Sequence, residues 1–162
     1  MTQAPVPAET TQGFGPPSVT QFSVFLVNKV GRLLDLVEHF ENTSCHICAL
    51  SVHEASDHAV VRLVTQKAAE ARGILAKHGL PFSERDVLVV EVSGKHTLAS
   101  LCLALLGAEL SIHFAYPLMT GRGGDPAIAL AVDDITLAGQ LLRRKEFRLL
   151  GEADLISGGK TT

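Results

Sequence analysis

Apolar positions along the chain follow two alternating periods, one typical of β-strands and the other of α-helices. In the first half, short runs rich in Val, Ile and Phe predict four strands, at residues 19–27, 46–52, 59–65 and 86–92. The polar residues 53–58 predict a turn between the second and third of these runs, so the two strands form a hairpin.

Helical spacing fills the two remaining intervals of the first half. One amphipathic helix is predicted by four apolar residues at this spacing, Leu33, Leu34, Val37 and Phe40. Leu33 begins this apolar face, so we expect it to lie in the core. A second helix is predicted over residues 67–80, because Gly79 stands where helices commonly end and Pro81 prevents continuation. The order of elements is therefore β-α-β-β-α-β.

The same order recurs in the second half of the chain. Helices are predicted at residues 98–107 and 133–147, and strands at residues 109–119, 127–132 and 148–156. Aligning the halves sets Leu33 against Leu98 and Ile47 against Ile112. Each half matches the split βαβ, or ferredoxin-like, pattern. Because one such half makes only a thin core, we predict an α+β fold in which two ferredoxin-like βαββαβ repeats pack as one unit.

Composition marks the ends of this duplicated region. Pro, Thr, Gln and Gly dominate residues 1–18 without an apolar period, so a disordered N-terminal arm is predicted. The first repeat is expected at residues 19–86 and the second at residues 87–156, and residues 157–162 are expected to form a frayed tail.

Charge and residue usage argue against several classes of function. The formal net charge of the 162-residue chain is −3, so it lacks the basic excess that binding to a nucleic-acid backbone requires. No apolar run reaches the roughly 20 residues of a membrane span, and the N-terminus does not resemble a secretory signal. The three cysteines, Cys45, Cys48 and Cys102, form no disulfide framework and fit a reducing cytosol. We therefore expect a cytoplasmic protein that has no cofactor and no nucleic-acid or membrane partner.

The stretch NKVGRL, residues 28–33, joins the first strand to the first helix, and we call it the first junction. The opening N–H groups of a helix have no internal partner, and together with the helix dipole they favour a carboxylate. Gly31 lets the backbone approach a ligand closely because it has no Cβ, and Asn28 offers both a donor and an acceptor. The same residues also fit a local role, in which Gly31 permits a tight turn and Asn28 caps the helix.

A duplicated β-α-β-β-α-β chain with NKVGRL at this place resembles the ACT-domain family, whose motif there is Asn/Asp-x-x-Gly-x-Leu. Val30 stands where that family often has Pro. The resemblance covers roughly residues 21–156. It is nearest to tandem ACT proteins, and next to the regulatory subunit of acetolactate synthase.

This resemblance implies a regulatory protein that binds a small ligand, usually an amino acid, against the first junction and between two ACT units. The implied binding residues are Asn28, Lys29, Val30, Gly31, Arg32 and Leu33. An amino-acid biosynthetic enzyme such as acetolactate synthase is the implied target of regulation. No nucleophile–base pair or pair of carboxylates marks a catalytic site in the sequence, so we expect a protein that is not an enzyme.

The corresponding stretch of the second half reads SGKHTL, residues 93–98, and we call it the second junction. His96 stands where the first junction has Gly31, and Gly94 lies two residues before it. We therefore predict one competent junction per chain, so that a homodimer supplies two ligand sites.

Two other classes of function remain open. In one, the chain is a structural or interaction module whose junction binds no ligand. In the other, the C-x-x-C pair Cys45 and Cys48 binds a metal or cycles a disulfide. A simpler interpretation makes Cys48 a small core residue and Cys45 a loop residue, with their side chains on opposite faces.

Two further groups of residues have both a functional and a simpler interpretation. Four polar residues that could ligate a metal gather at the predicted hairpin tip, His53, Glu54, Asp57 and His58. A solvated turn explains their presence equally well. His113 and Tyr116 lie on a predicted strand of the second repeat, where they either line a pocket between the repeats or pack at a sheet edge.

Overall fold

The computed structural model describes residues 15–119 and 125–155. Within these ranges the strands are β1 (Val19–Val27), β2 (Ile47–Ala55), β3 (His58–Thr65), β4 (Phe82–Glu91), β5 (Ile112–Pro117), β6 (Ala127–Val132) and β7 (Leu149–Leu150). The helices are α1 (Arg32–Glu38), α2 (Ala68–Lys77), α3 (Leu98–Gly107) and α4 (Ile135–Arg144), followed by a 3₁₀ turn at Glu152–Asp154. Neighbouring strands follow the order β2-β3-β1-β4-β6-β5, and β7 pairs with β4.

Strand β4 belongs to both repeats. Its residues 82–87 pair antiparallel with β1, and its residues 88–91 pair antiparallel with β6. The predicted fold of two ferredoxin-like βαββαβ repeats is confirmed. The strand predicted at residues 86–92 begins earlier than expected, because pairing with β1 outweighs the polar composition of residues 83–86.

In the part of the chain that the structure describes, the core consists of three apolar clusters. In the first repeat one face of the sheet packs against α1 and α2, and in the second repeat one face packs against α3 and α4. The third cluster joins the opposite, helix-free faces of both repeats, and we call it the inter-sheet core. Its members include Val19, Cys48, Val64, Val87, Tyr116 and Ala129. The helices therefore lie outside, and the two halves of the sheet face each other.

Strand β6 contributes side chains to two of these clusters, one on each face of the sheet. Its small residues Ala127, Ala129 and Ala131 belong to the inter-sheet core. The larger residues between them face the helices of the second repeat. A strand buried on both faces appears in sequence as a continuous apolar run, and the alanines allow the two sheets to approach closely.

The apolar face predicted for the first helix is partly wrong. Leu33 is 37% exposed and Leu34 is 60% exposed, whereas Leu36 and Phe40 are buried. The apolar cluster beneath α1 begins at Leu36. Leu33 is not a member of that cluster, so it is not a core residue.

The last predicted strand is also shorter than expected. The sequence predicted a strand over residues 148–156, but β7 contains only Leu149–Leu150. Gly151 ends it, because its N–H donates to Asp154 Oδ2 at 2.8 Å and its carbonyl accepts from the Asp154 N–H. These two hydrogen bonds close the 3₁₀ turn in place of further pairing with β4.

The ends of the chain are described only in part. Residues 1–14 of the predicted arm and the predicted tail at residues 157–162 lie outside the described ranges. Pro16 packs so closely on α4 that a Cβ on Gly139 would lie 2.5 Å from the Pro16 Cβ. None of the helices in the described ranges has the length and apolar character needed to cross a membrane.

Candidate functional site

The first junction leads from β1 into α1 through one left-handed residue. Gly31 has φ 86° and ψ −8°, a conformation that residues with a Cβ rarely adopt. A Cβ built on Gly31 would meet no atom within 4 Å, so glycine is required here by conformation and not by space. The helix that follows is only seven residues long.

Asn28 ties the first junction to the hairpin of β2 and β3. Its backbone N–H donates to Asp57 O at 3.0 Å, and its Nδ2 donates to Glu54 Oε1 at 2.8 Å and to Ser56 O at 3.3 Å. Among the described residues no side chain caps α1, so the capping role considered for Asn28 is wrong. Within the described residues, the Oδ1 atom of Asn28 accepts no hydrogen bond and is available to a ligand.

The sequence pattern did not predict Glu54 and Asp57 as neighbours of the first junction. It placed both at a hairpin tip without connecting that tip to the end of β1. The connection follows from the fold, because β1 pairs antiparallel with β3 and Val27 lies opposite His58. In a ferredoxin-like repeat, this hairpin therefore ends beside the first junction.

Groups of both charges surround the open start of α1. Lys29 and Arg32 supply positive charge on the junction, although Arg32 Nη1 lies 3.7 Å from Asp35 Oδ2 in the first turn of α1, and Glu54 supplies negative charge from the hairpin. The backbone N–H groups of Leu33 and Leu34 have no acceptor among the described residues. A carboxylate can accept hydrogen bonds from such N–H groups, and an ammonium group can pair with Glu54. The arrangement therefore suits a small zwitterion.

The first junction is open to solvent in the single chain. Val30 is fully exposed, and the side chains of Leu33 and Leu34 are also accessible. These apolar side chains lie beside the polar groups that a zwitterion would contact. A second surface is needed to enclose a ligand at this place.

The second junction is held in place by contacts of its own side chains. Thr97 Oγ1 accepts from the Ser100 N–H at 3.1 Å and thereby caps α3. The His96 ring lies 4.4 Å from the Phe147 ring, centroid to centroid, and its Nε2 lies 3.2 Å from Lys145 O. His96 thus anchors the second junction to the end of α4, which leaves less of the helix start accessible to a ligand.

One surface groove lies beside the second junction and another lies at the start of β2. One of about 430 Å³ adjoins the second junction and is lined by Lys95, His96, Ser100, Leu103, Ala104, Lys145 and Phe147. Another of about 340 Å³ lies where β2 begins, and its lining includes Phe40, Cys45 and Met119. Neither groove is lined by a residue of the first junction. The hydrogen-bonding groups of the first junction therefore lie outside both grooves.

Cys45 and Cys48 belong to different apolar clusters on opposite sides of the sheet. Cys45, interpreted from the sequence as a loop residue, precedes β2 but is fully buried. Burial raises the pKa of both thiols, that of Cys48 to about 11. A raised pKa disfavours the thiolate that binds metals and attacks disulfides. Among the described side chains, no group of three or more His, Cys, Asp or Glu residues could hold a metal ion.

The polar residues of the hairpin tip are divided among separate contacts. His58 Nδ1 lies 2.6 Å from Asp57 Oδ1, and this hydrogen bond lowers the pKa of the Asp57 carboxyl. His53 Nε2 lies 3.0 Å from Ser51 Oγ. Because Glu54 is bonded to Asn28, the four side chains do not converge on one centre.

Tyr116 and His113 lie on β5, the edge strand of the sheet, and both contact the first repeat. Tyr116 is buried in the inter-sheet core and donates to Gln21 Oε1 at 2.6 Å. His113 is exposed, and its Nδ1 lies 2.7 Å from Arg85 Nη2. Both residues therefore contact a strand of the first repeat.

Comparison of the sequence with known proteins gives one match at the level of a family. A family model described as an ACT domain pair matches residues 17–157. No curated protein sequence matches the chain.

Two solved structures share the fold. A crystal structure of a protein from Bacteroides thetaiotaomicron has a TM-score of 0.77 and 21% sequence identity, over 86% of this chain and 96% of that one. The ligand-free regulatory subunit of aspartate kinase from Thermus thermophilus has a TM-score of 0.54 and 10% identity, over 79% of this chain and 92% of that one. At these identities the likeness is one of fold.

Proposed function

The chain belongs to the family of ACT domain pairs, and we propose that it is a regulatory protein, not an enzyme, that binds an amino acid at the first junction. Family membership supports a regulatory role that depends on a small molecule. The proposed contact residues are Asn28, Lys29, Val30, Gly31, Arg32 and Leu33. The observation that carries the proposal is the uncapped start of α1 beside groups of both charges.

The proposed binding mode uses these groups directly. The ligand carboxylate accepts from the backbone N–H groups of Leu33 and Leu34, close to the side chains of Lys29 and Arg32. The ligand ammonium donates to Asn28 Oδ1 and pairs with the Glu54 carboxylate. The ligand side chain contacts the exposed apolar residues of the junction.

A homodimer completes this site in the proposal. The exposed Val30, Leu33 and Leu34 leave one side of the ligand uncovered in a single chain. An ACT unit of a second copy of the chain covers that side, so that the two chains together enclose two ligands. Binding then stabilises one packing arrangement of the two chains over another, which is the requirement for allosteric control.

A thermal-shift panel of the amino acids on the full chain tests the ligand site. We expect the melting temperature to rise with at least one amino acid, and the rise to disappear in Gly31→Ala and Asn28→Ala. Gly94→Ala is the matched control, because Gly94 at the second junction also has a positive φ, of 57°, with no atom within 4 Å of an added Cβ.

The outcome that contradicts the proposal is equally definite. If no amino acid at millimolar concentration changes the melting temperature, the chain is a structural or interaction module without a ligand. An equal loss of response in Gly94→Ala shows that backbone strain, and not the first junction, controls binding.

The regulated partner in this proposal is an amino-acid biosynthetic enzyme. The motif of the first junction favours acetolactate synthase as the regulated enzyme. Aspartate kinase is the second enzyme to test, because the chain shares its fold with a regulatory subunit of that enzyme. Each enzyme, from the same organism, is assayed with and without the chain and the amino acid found by the panel. An unchanged rate in every combination rejects both targets.

The metal-binding alternative is tested on Cys45. Purified full chain and Cys45→Ser are compared for zinc content after dialysis against zinc. We expect equal, substoichiometric content, because both thiols are buried in separate clusters. If the native chain holds one equivalent of zinc and Cys45→Ser does not, the metal-binding function is supported instead of the regulatory one.

A further inference from the structure

A polar row crosses the helix-free face of the first repeat's sheet, next to the inter-sheet core. The strand registers set Arg62 opposite both Ser51 and Ser23, and Ser23 opposite Ser83. Arg85 lies two residues from Ser83 along β4, in the adjacent row. Residues opposite each other in antiparallel strands share a face, and residues two apart on a strand do so as well. Two arginines and three serines therefore share this surface.

Both guanidinium groups lie near the same aromatic ring of the second repeat. Arg62 Cζ is 3.8 Å and Arg85 Cζ is 5.5 Å from the centroid of the Phe114 ring. Arg85 Nη2 also donates to Val132 O at 3.2 Å and lies 2.7 Å from His113 Nδ1. The arrangement joins β3 and β4 of the first repeat to β5 and β6 of the second. We call Arg62, Arg85 and Phe114 the arginine cluster.

The two positive charges of the arginine cluster form no ion pair with a carboxylate of the described residues. Glu84 is adjacent to Arg85 in sequence but faces the helices, where its Oε1 pairs with Arg72 Nη2 at 2.5 Å. The Arg62 Nε atom is buried without a hydrogen-bond partner. An aromatic ring compensates a cation only in part, and a buried donor without an acceptor is costly. The cluster therefore retains capacity to donate hydrogen bonds to an anion.

We propose that the arginine cluster binds a small organic anion that carries two carboxylate or phosphate groups. Planar guanidinium groups bind the oxygens of both groups in pairs, and the serines of the same face add hydroxyl donors. Phe25 and Val60 lie opposite each other in the next row and offer an apolar wall to a short carbon skeleton. Because the cluster joins the two repeats, the bound anion holds the helix-free faces together.

An α-amino acid is a poor ligand for this cluster. Its ammonium group would lie beside two guanidinium groups, and no carboxylate of the described residues pairs with either of them. The first junction differs, because Glu54 is bonded there to Asn28 and can pair with an ammonium group. The proposed anion site is therefore separate from the amino-acid site and does not depend on it.

Calorimetric titration of the full chain with disodium succinate and with sodium pyrophosphate tests the proposal, with sodium chloride at equal ionic strength as the reference. We expect saturable binding of at least one probe. Arg62→Ala and Arg85→Ala should each weaken it by about tenfold or more. Arg62→Lys, which keeps the charge and loses the planar fork, should weaken it less. Binding of succinate alone assigns a dicarboxylate, and binding of pyrophosphate alone assigns a phosphate compound.

Two matched variants make the result specific. Arg72→Ala removes an arginine from the opposite face of the same sheet and should leave binding unchanged, as should Gly31→Ala at the first junction. If the native chain gives no saturable heat beyond sodium chloride, the proposal is wrong. It is also wrong if Arg72→Ala weakens binding as much as Arg62→Ala. If the alanine variants do not fold, Arg62→Lys and Arg85→Lys replace them. If both of these variants fold and bind the anion with unchanged affinity, the arginine cluster is not the anion site.

Discussion

The two junctions occupy the same place in the two repeats, but their helix starts are built differently. The first junction enters a seven-residue helix through Gly31, and no side chain caps that helix. The second junction enters a ten-residue helix that Thr97 caps, and His96 anchors it to the end of α4. Identical topology therefore leaves helix N–H groups accessible in one repeat and satisfies one of them in the other.

The two junctions also contact different parts of their repeats. In the second repeat, His96 contacts Lys145 just after α4, and Lys95 forms an exposed ion pair with Glu146 at 3.4 Å that contributes little stability. In the first repeat, the contacts of Asn28 go to the hairpin instead of to a helix end. The second junction is therefore tied to the helix layer of its repeat, whereas the first is tied to the β-hairpin.

The largest expected effect comes from the leucine that anchors the first helix of each repeat. Leu36 of α1 and Leu101 of α3 are both buried. Their replacement by Ala should lower the free energy of unfolding by about 2–5 kcal/mol, because each leaves a cavity in a helix–sheet cluster. Urea denaturation followed by circular dichroism measures the change.

Leu33→Ala and Leu98→Ala are the controls for this pair, since these side chains are 37% and 54% exposed. Each should cost less than about 1 kcal/mol. A cost for Leu33→Ala equal to that of Leu36→Ala would show that the first turn of α1 is packed. The contrast between the junctions would then fail.

An intermediate effect is expected where each helix begins. Thr97→Ala should lower the free energy of unfolding by about 1 kcal/mol, because it removes the cap of α3, whereas Thr97→Ser keeps the hydroxyl and should be close to neutral. Gly31→Ala should cost about 1–2 kcal/mol through its left-handed backbone alone. Gly31→Asn should cost less, because Asn tolerates that conformation. Stability of these four variants in urea separates a lost cap from backbone strain.

The opposite ranking would reverse the interpretation of the two junctions. If Thr97→Ala leaves stability unchanged, the cap does not hold the second junction. If Gly31→Asn is as costly as Gly31→Ala, the first junction is constrained by contacts and not by its backbone angle alone.

The effect expected for the cysteines is absent at neutral pH and appears only in alkaline solution. Burial raises the pKa of the Cys48 thiol above its ordinary value of 9.0 to about 11. The folded state therefore holds this proton more tightly than the unfolded state. The resulting stability is fully present below pH 9 and is lost as the pH rises towards 11. Urea denaturation at pH 8 and pH 10.5 should show a larger decrease in stability for the native chain than for Cys48→Ala.

Thiol labelling checks the same burial independently. Cys102 of the second repeat is exposed, whereas Cys45 and Cys48 are buried. One thiol per chain should react quickly with a thiol reagent at pH 8, and Cys102→Ser should abolish that reaction. Rapid reaction of three thiols would show that the first repeat opens more readily than its packing indicates.

Much of the fold could be predicted from local patterns. The alternation of strand and helix periods, the duplication and the tight turn at Gly31 all depend on neighbouring residues. The exposure of Leu33 was not predictable in this way, because helical spacing defines an apolar face but not how far the cluster beneath it extends. The two-residue length of β7 likewise depends on a competing turn at Gly151.

The candidate site also combines features that the sequence predicts with contacts that only the tertiary structure shows. The order of elements and the contrast between Gly31 and His96 could be predicted from the sequence, because both follow from residue spacing. The positive φ of Gly31 came from the structure. The contact of Asn28 with Glu54 and the approach of Arg62 and Arg85 to Phe114 join residues far apart in the chain. Strand pairing and the packing of the two sheets bring these residues together, and both depend on segments that are far apart in the chain.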